Sequence, residues 1–246
     1  MVTLKDKPLT ANTDAIDAIS KALALARVAM IVVHGGGSFG HYWSVQYDMH
    51  TKPARYDSRG VSLVHESMVA LNQIVVNAMI RAGMNPYGIA PLAFMSGAKP
   101  NPLKMTHLRA LAGSNVTPVT FGDVIHVENT EYSILSGDAL MTHLAKALRP
   151  SKIIFATNVD GIYKDMDSKE LVREIDLAAA QRINFSRAAV ADVTGGMQRK
   201  ITEAFKIASC GMDVLMVNGL RPERIIQAME GRITMGTIVK GKRRRK

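Results

Sequence analysis

The chain has 246 residues, of which 47% are apolar, enough to bury one sizeable core as a single α/β domain or as two closely joined lobes. Its formal net charge is +10, but the tail Lys240 to Lys246 holds six basic residues; without them 25 basic face 21 acidic residues, a balance of +4, so the body is only mildly basic and a nucleic-acid partner is not expected. A single cysteine, Cys210, excludes an intramolecular disulfide, and no stretch reaches the roughly 18 uninterrupted apolar residues of a membrane helix or forms a leader, so a cytoplasmic protein is expected.

In chain order, the first helix is expected over Thr13 to Ala29, capped by Thr13 or Asp14, with Ile16, Ile19, Leu23 and Leu25 as its apolar stripe. Next comes VAMIVVHGGGSFGH, from Val28 to His41. Here an all-apolar strand, suited to the centre of a parallel sheet, runs into His34 and the glycines Gly35, Gly36, Gly37 and Gly40. Glycines at that place bring backbone N–H groups against a ligand with no Cβ in the way, and phosphate is the natural guest of such a loop. His34 reads as a satisfied residue at the core edge. His41 lies past the glycines, where a loop or lid is expected to run on to Arg59.

A long helix follows over Ser62 to Arg81, stopped by Gly83. Its residues Met68, Leu71, Ile74 and Val75 suit either core packing or one wall of an apolar pocket. Then come a short strand in Met84 to Leu92, a helix in Thr106 to Ala112 and a strand over Thr117 to Phe121. Ser136-Gly137-Asp138 opens a helix to Leu148, and the strand Lys152 to Thr157 ends in Asn158-Val159-Asp160-Gly161-Ile162-Tyr163. Asp192 to Met197 opens a helix that carries Lys200. A strand at Asp213 to Val217, a helix at Pro222 to Glu230 and a strand at Thr234 to Val239 complete the order. Strands alternating with helices across Gly- and Asp-bearing turns give an α/β fold, a mostly parallel central sheet sandwiched by helices.

Ligands of such sheets bind beyond the carboxyl ends of the strands, where four loops are expected to meet: His34 to His41, Ser136 to Asp138, Thr157 to Tyr163 and Asp192 to Lys200. Glycine amides, helix N-termini, a histidine and a lysine suit phosphate rather than acyl transfer. A nucleophile elbow, metal-spaced His/Cys clusters and the G-x-x-x-x-G-K-[ST] loop are all missing from the sequence.

HGGGSFGH (His34 to His41), SGD (Ser136 to Asp138), TNVDGIY (Thr157 to Tyr163) and DVTGGMQRK (Asp192 to Lys200) together resemble the amino-acid kinase superfamily. Within it they are similar to the isopentenyl phosphate kinases, and the likeness runs through Gly236-Thr237-Ile238. The resemblance implies one amino-acid kinase-like domain. Its acceptor lobe would cover about 1–145 and its nucleotide lobe about 146–239, with the basic tail at 240–246. It implies phosphorylation of isopentenyl phosphate to the diphosphate by ATP with Mg²⁺, in a homodimer.

By similarity, Gly35, Gly40, His41 and Gly137 would bind the acceptor. Gly36, Gly195, Gly196 and Lys200 would face the ATP phosphates, and Thr157, Asn158, Asp160, Gly161 and Tyr163 would flank the nucleotide. His41, Lys5, Asp138 and Lys200 would be the catalytic set, Lys5 as the transition-state lysine and Asp138 orienting the lysines. The resemblance also implies an opening strand and a K-x-G-G-S loop; the chain begins about where that loop would end, which points to a start placed too far downstream or to a true truncation. Two other activities remain open on the sequence: a fosfomycin-type phosphonate kinase, and a non-catalytic nucleotide- or RNA-binding protein.

Overall fold

The computed structural model describes residues 1–4, 6–97, 99–164, 170–182, 196–232 and 235–242, with the side chains of 180–182 set aside. The chain divides into two compact units, Met1–Leu148 and Arg149–Lys246.

In the first unit, α1 (Thr13–Leu25) is capped by Asn12, whose Oδ1 accepts from the Ala15 N–H at 3.3 Å. The cap is therefore one residue earlier than the sequence suggested, because an Asn side chain already satisfies an orphan N–H of the first turn. The strand β1 (Val32–His34) is shorter than the apolar run before it, and Val28 is exposed. Next, α2 (Gly37–Gln46) replaces the expected loop. Phe39 of this helix is buried with Met68, Leu71 and Phe121, while Trp43 and Tyr47 pack against Met49, Val64 and Val124. Apolar residues spaced by four along 39, 43 and 47 thus hold as a helix a stretch whose glycines and polar residues argued for a loop.

The longest helix, α3 (Ser58–Arg81), starts at Asp57, whose Oδ1 accepts from the N–H groups of Arg59 at 2.8 Å and Gly60 at 3.1 Å. Gly83, at φ 82°, turns the chain back after it, a conformation that costs glycine little. By length and apolarity α3 could cross a membrane, yet Val64, Met68, Leu71, Val75 and Met79 are buried in the core of this unit. That resolves the two readings of Met68, Leu71 and Val75 in favour of packing.

After α3 come β2 (Pro86–Gly88), the two-residue strands β3 (Met95–Ser96) and β4 (Lys99–Pro100), α4 (Pro102–Gly113) and β5 (Thr117–Phe121). The hairpin β6 (Asp123–His126) and β7 (Tyr132–Leu135) leads into α5 (Gly137–Leu148). β5 is central, with β1 and β2 parallel on its two sides.

The second unit contains β8 (Ile154–Thr157), β9 (Glu174–Ile175), α6 (Leu177–Arg182), α7 (Gly196–Ala208), β10 (Val214–Asn218), α8 (Pro222–Glu230) and β11 (Thr237–Val239). Its sheet runs β8-β10-β11-β9, parallel except between β10 and β11. Thr237 joins the loop after β8 to this sheet: its buried hydroxyl accepts from Ile162 N–H at 2.8 Å and donates to Val172 O at 2.6 Å. Parallel pairing and covering helices, the α/β signature, are present in both units; the first also holds the two-stranded sheets β3–β4 and β6–β7.

Candidate active site

In the first unit the sheet's carboxyl end is a junction of backbones. The N–H of Gly122 donates to His34 O at 3.1 Å. A Cβ on Gly122 would lie 2.6 Å from Gly137 N, and one on Gly137 would lie 2.9 Å from His34 O and 3.3 Å from Gly35 N. Such approaches are open only to glycine, so the absence of a side chain at Gly122 and at Gly137 is what lets these backbones meet beside Gly35. Gly36 and Gly40 close the same turn over Met68, whose sulfur would lie 2.9 Å from a Cβ on Gly36.

Two helices start at this junction. Gly36 is the N-cap of α2; Thr3 Oγ1 accepts from the Ser38 N–H at 3.1 Å, and Ser38 Oγ is buried without a hydrogen-bond partner among the described residues. The helix dipole and the spare Ser38 hydroxyl together suit an anion. On α5, Ser136 Oγ accepts from Ala139 N–H at 3.1 Å, which leaves Gly137 and Asp138 in the first turn. His41 lies in the second turn of α2, exposed, so the helix fixes its place more firmly than a loop would.

His34 is a core-edge residue. It is 6% exposed and stacks on Phe121, with Nδ1 3.1 Å from Gly35 O and Nε2 3.2 Å from Asn72 Oδ1. Burial lowers its pKa below the ordinary value of 6.5, against the raising effect of these two bonds. An imidazole kept neutral by folding binds fewer protons than the unfolded chain does, so stability is lost as pH falls through 6.5 toward the depressed value. Thermal unfolding at pH 7.5 and 5.5 should therefore show a smaller acid-induced drop in midpoint for His34→Gln than for the parent.

The sequence reading passed over a second pair at the junction. Asp123, directly after Gly122, is buried, and its Oδ2 lies 2.7 Å from Nδ1 of His65 on α3. Its other oxygen accepts from its own neighbour Val124 N–H at 2.8 Å. Burial raises the Asp123 pKa, with the His65 contacts opposing, while the hydrogen bond to Asp123 raises that of His65 against its own burial. A glycine followed by an acid at the end of a buried strand was the available signal.

In the second unit, Thr157 ends β8 and bonds through its hydroxyl to Val159 O at 2.6 Å. Asp160 follows, held by Asn218 Nδ2 at 3.1 Å from the end of β10, with Arg224 of α8 at 3.9 Å. The Asp160 N–H donates to the Tyr163 hydroxyl at 3.4 Å. Gly161, at φ 155°, lies where a Cβ would come 2.5 Å from Thr237 Oγ1. Thr157, Asn158, Asp160, Gly161 and Tyr163 thus form one turn at the carboxyl end of the parallel pair β8–β10. Gly196 and Lys200 lie at the start of α7. Lys5 and Gly195, with the rest of 183–195, fall outside the described residues.

The chain matches the Amino acid kinase family over residues 7–218. It is 35% identical to isopentenyl phosphate kinase of Thermoplasma acidophilum over 230 residues, 92% of this chain and 91% of that protein. To the isopentenyl phosphate kinase of Methanothermobacter thermautotrophicus it is 27% identical, covering 98% and 96%. Among solved structures, a product complex of the T. acidophilum enzyme superposes with a TM-score of 0.79 at 31% identity, over 97% of this chain and 95% of that one. N-acetylglutamate synthase from Neisseria gonorrhoeae, at 12% identity and a TM-score of 0.71, shares the fold. On its matched length and on the likeness of its fold, the chain belongs to the amino acid kinase family.

Proposed function

We propose that this protein phosphorylates isopentenyl phosphate with ATP, giving isopentenyl diphosphate for isoprenoid synthesis. The observation that carries the reading is the close-packed glycine junction at Gly122 and Gly137 beside the start of α2, where the helix dipole and the buried spare hydroxyl of Ser38 favour a phosphate. The first unit takes the acceptor: Gly35, Gly40, His41 and Gly137 hold its phosphate, with Lys5 and Asp138 in the catalytic set. The second unit takes the nucleotide, flanked by Thr157 to Tyr163, with Gly195, Gly196 and Lys200 at its phosphates.

The chemistry asks little of a base. A phosphate monoester has a second pKa near 6, so its attacking oxygen is ionised at neutral pH. The work is to hold two polyanions in line and to balance the charge that develops between them. Amides, lysines and a histidine do that.

The described residues hold no group of three His, Cys, Asp or Glu able to cage a metal. Mg²⁺ would enter with the nucleotide and neutralise phosphate charge when bound. The acceptor's hydrocarbon finds an apolar cluster on the elements that carry the phosphate ligands: Trp43 and Tyr47 of α2, Val61 and Val64 of α3, with Val124 and Ile134 of the hairpin. A homodimer rests on the family resemblance alone, and the lone cysteine favours a cytoplasmic setting.

The test is ADP release with MgATP and isopentenyl phosphate, beside dimethylallyl phosphate and fosfomycin. Isopentenyl phosphate should be the better acceptor than fosfomycin by about 10²-fold or more in kcat/KM, since fosfomycin lacks the hydrocarbon to fill the cluster. ATP binding without turnover of any of the three would overturn the assignment.

A further inference from the structure

We propose that His65 and Asp123 form a specificity-determining ion pair on the acceptor side of the site, in which the imidazolium cancels the buried carboxylate and so lets a phosphate dianion dwell beside it. The inference rests on the acceptor assignment above.

The placement comes first. Asp123 follows Gly122, whose N–H is bonded to His34 O and whose Cα faces Gly137 N, so its carboxylate hangs directly from the glycine junction. With its side chain 2% exposed, a lone negative charge there would repel any dianion held on the neighbouring amides with little screening by water. His65 stands 2.7 Å away, and its ring is 48% exposed. Nε2, the nitrogen that Asp123 does not use, has no partner among the described residues.

The residue types are chosen for charge rather than for shape. An asparagine at 123 would accept from Val124 N–H equally well; only a carboxylate holds the ring protonated. Support comes from the upward displacement of the His65 pKa by its bond to Asp123.

Titratable groups lie on most of the elements packed against α3. The elements against α3 are α1, α2, β2, β5 and β6. Their titratable groups are Asp14, Asp17 and Lys21 of α1, His41 and Tyr42 of α2 with Tyr47 just after it, Tyr87 of β2, and Asp123 and His126 of β6; β5 has none. On α3 itself Glu66 is the next residue in the chain, pointing about 100° around the helix, and Arg59 lies about a turn and a half away. Of all these, Asp123 alone bonds the ring or displaces its pKa.

Below its raised pKa, His65 is cationic and the pair is neutral. Above it, the bare Asp123 charge remains and acceptor affinity falls. Linkage runs both ways, so a bound dianion must raise the pKa of His65.

The experiment is calorimetric titration of the whole protein with isopentenyl phosphate, and with inorganic phosphate, at pH 7 and 8.5. Parent, His65→Asn and Asp123→Asn are compared, and the His65 ring is followed by NMR. His65→Asn keeps a donor where Nδ1 stood and removes the charge. Below the ring's raised pKa, which the NMR titration locates, it should bind isopentenyl phosphate about 10-fold more weakly, the size of one charge-assisted contact, and above that pKa the parent should approach it. Above it Asp123→Asn should bind better than the parent, an outcome that a merely structural carboxylate would not give. Isopentenyl phosphate should raise the parent's His65 pKa by about one unit, which matches a 10-fold effect. Differences between variants at one pH cancel the titration of His41 and of the acceptor itself.

If the parent binds isopentenyl phosphate and neither variant alters its pH dependence, the ion-pair role is wrong and the acceptor assignment stands. If the parent binds neither probe at either pH, both fall.

Discussion

Replacing His41 by glutamine lowers kcat/KM for isopentenyl phosphate about 10²- to 10³-fold, the usual cost of removing one donor aimed at a charge that builds in a transition state. The loss should appear in the acceptor terms, with KM for ATP unchanged, because His41 belongs to the unit read here as the acceptor side. Folding should hardly register the change. The side chain is exposed in the second turn of a helix whose packing runs through Phe39, Trp43 and Tyr47, and surface substitutions of that kind stay within about 0.5 kcal/mol. Glutamine keeps a hydrogen-bond donor and removes the ring, so rescue at high acceptor concentration would assign the loss to binding. Unchanged steady-state kinetics would remove His41 from the site.

The parts of this molecule that could be read from sequence are those where one residue type has a single physical use. The apolar run at Thr117–Phe121 is the central strand, and Pro222–Glu230, with proline at its start and Gly231 at φ 83° after it, is a helix to the residue. His34 was legible as a core-edge histidine because it ends a buried strand.

What escaped depended on distance in the chain. Nothing near Gly37–Gln46 says helix until Phe39 meets Met68 and Leu71, about thirty residues on. Nothing near Gly122 says that its Cα faces Gly137, or that His65 will reach Asp123 across 58 positions. Loop motifs advertise ligands, whereas the residues that set charge behind them are isolated in sequence and acquire meaning only from packing.

The glycine junction gives the other large expected effect. Gly122→Ala places a Cβ 2.6 Å from Gly137 N, 3.1 Å from Leu135 O and 3.2 Å from the Ser136 carbonyl carbon. All three are backbone atoms, so no side chain can swing aside and the strand must shift away from α5. Overpacking of that kind costs about 3 kcal/mol, a fall of about 6–12 °C in midpoint for a chain of this length, read by thermal unfolding. Acceptor turnover should fall with it even at temperatures where the variant is folded, because the shift moves Gly137 and Asp123 together.

Gly35→Ala is the matched comparison. Its Cβ would meet nothing within 4 Å, so its midpoint should stay within about 2 °C of the parent, the shift expected for 0.5 kcal/mol or less. The methyl would instead enter the space assigned to the acceptor phosphate and raise KM for isopentenyl phosphate. The two variants separate what the glycines do for the fold from what they do for the ligand. A Gly35→Ala protein with parental stability and parental acceptor KM would move the phosphate out of the junction altogether.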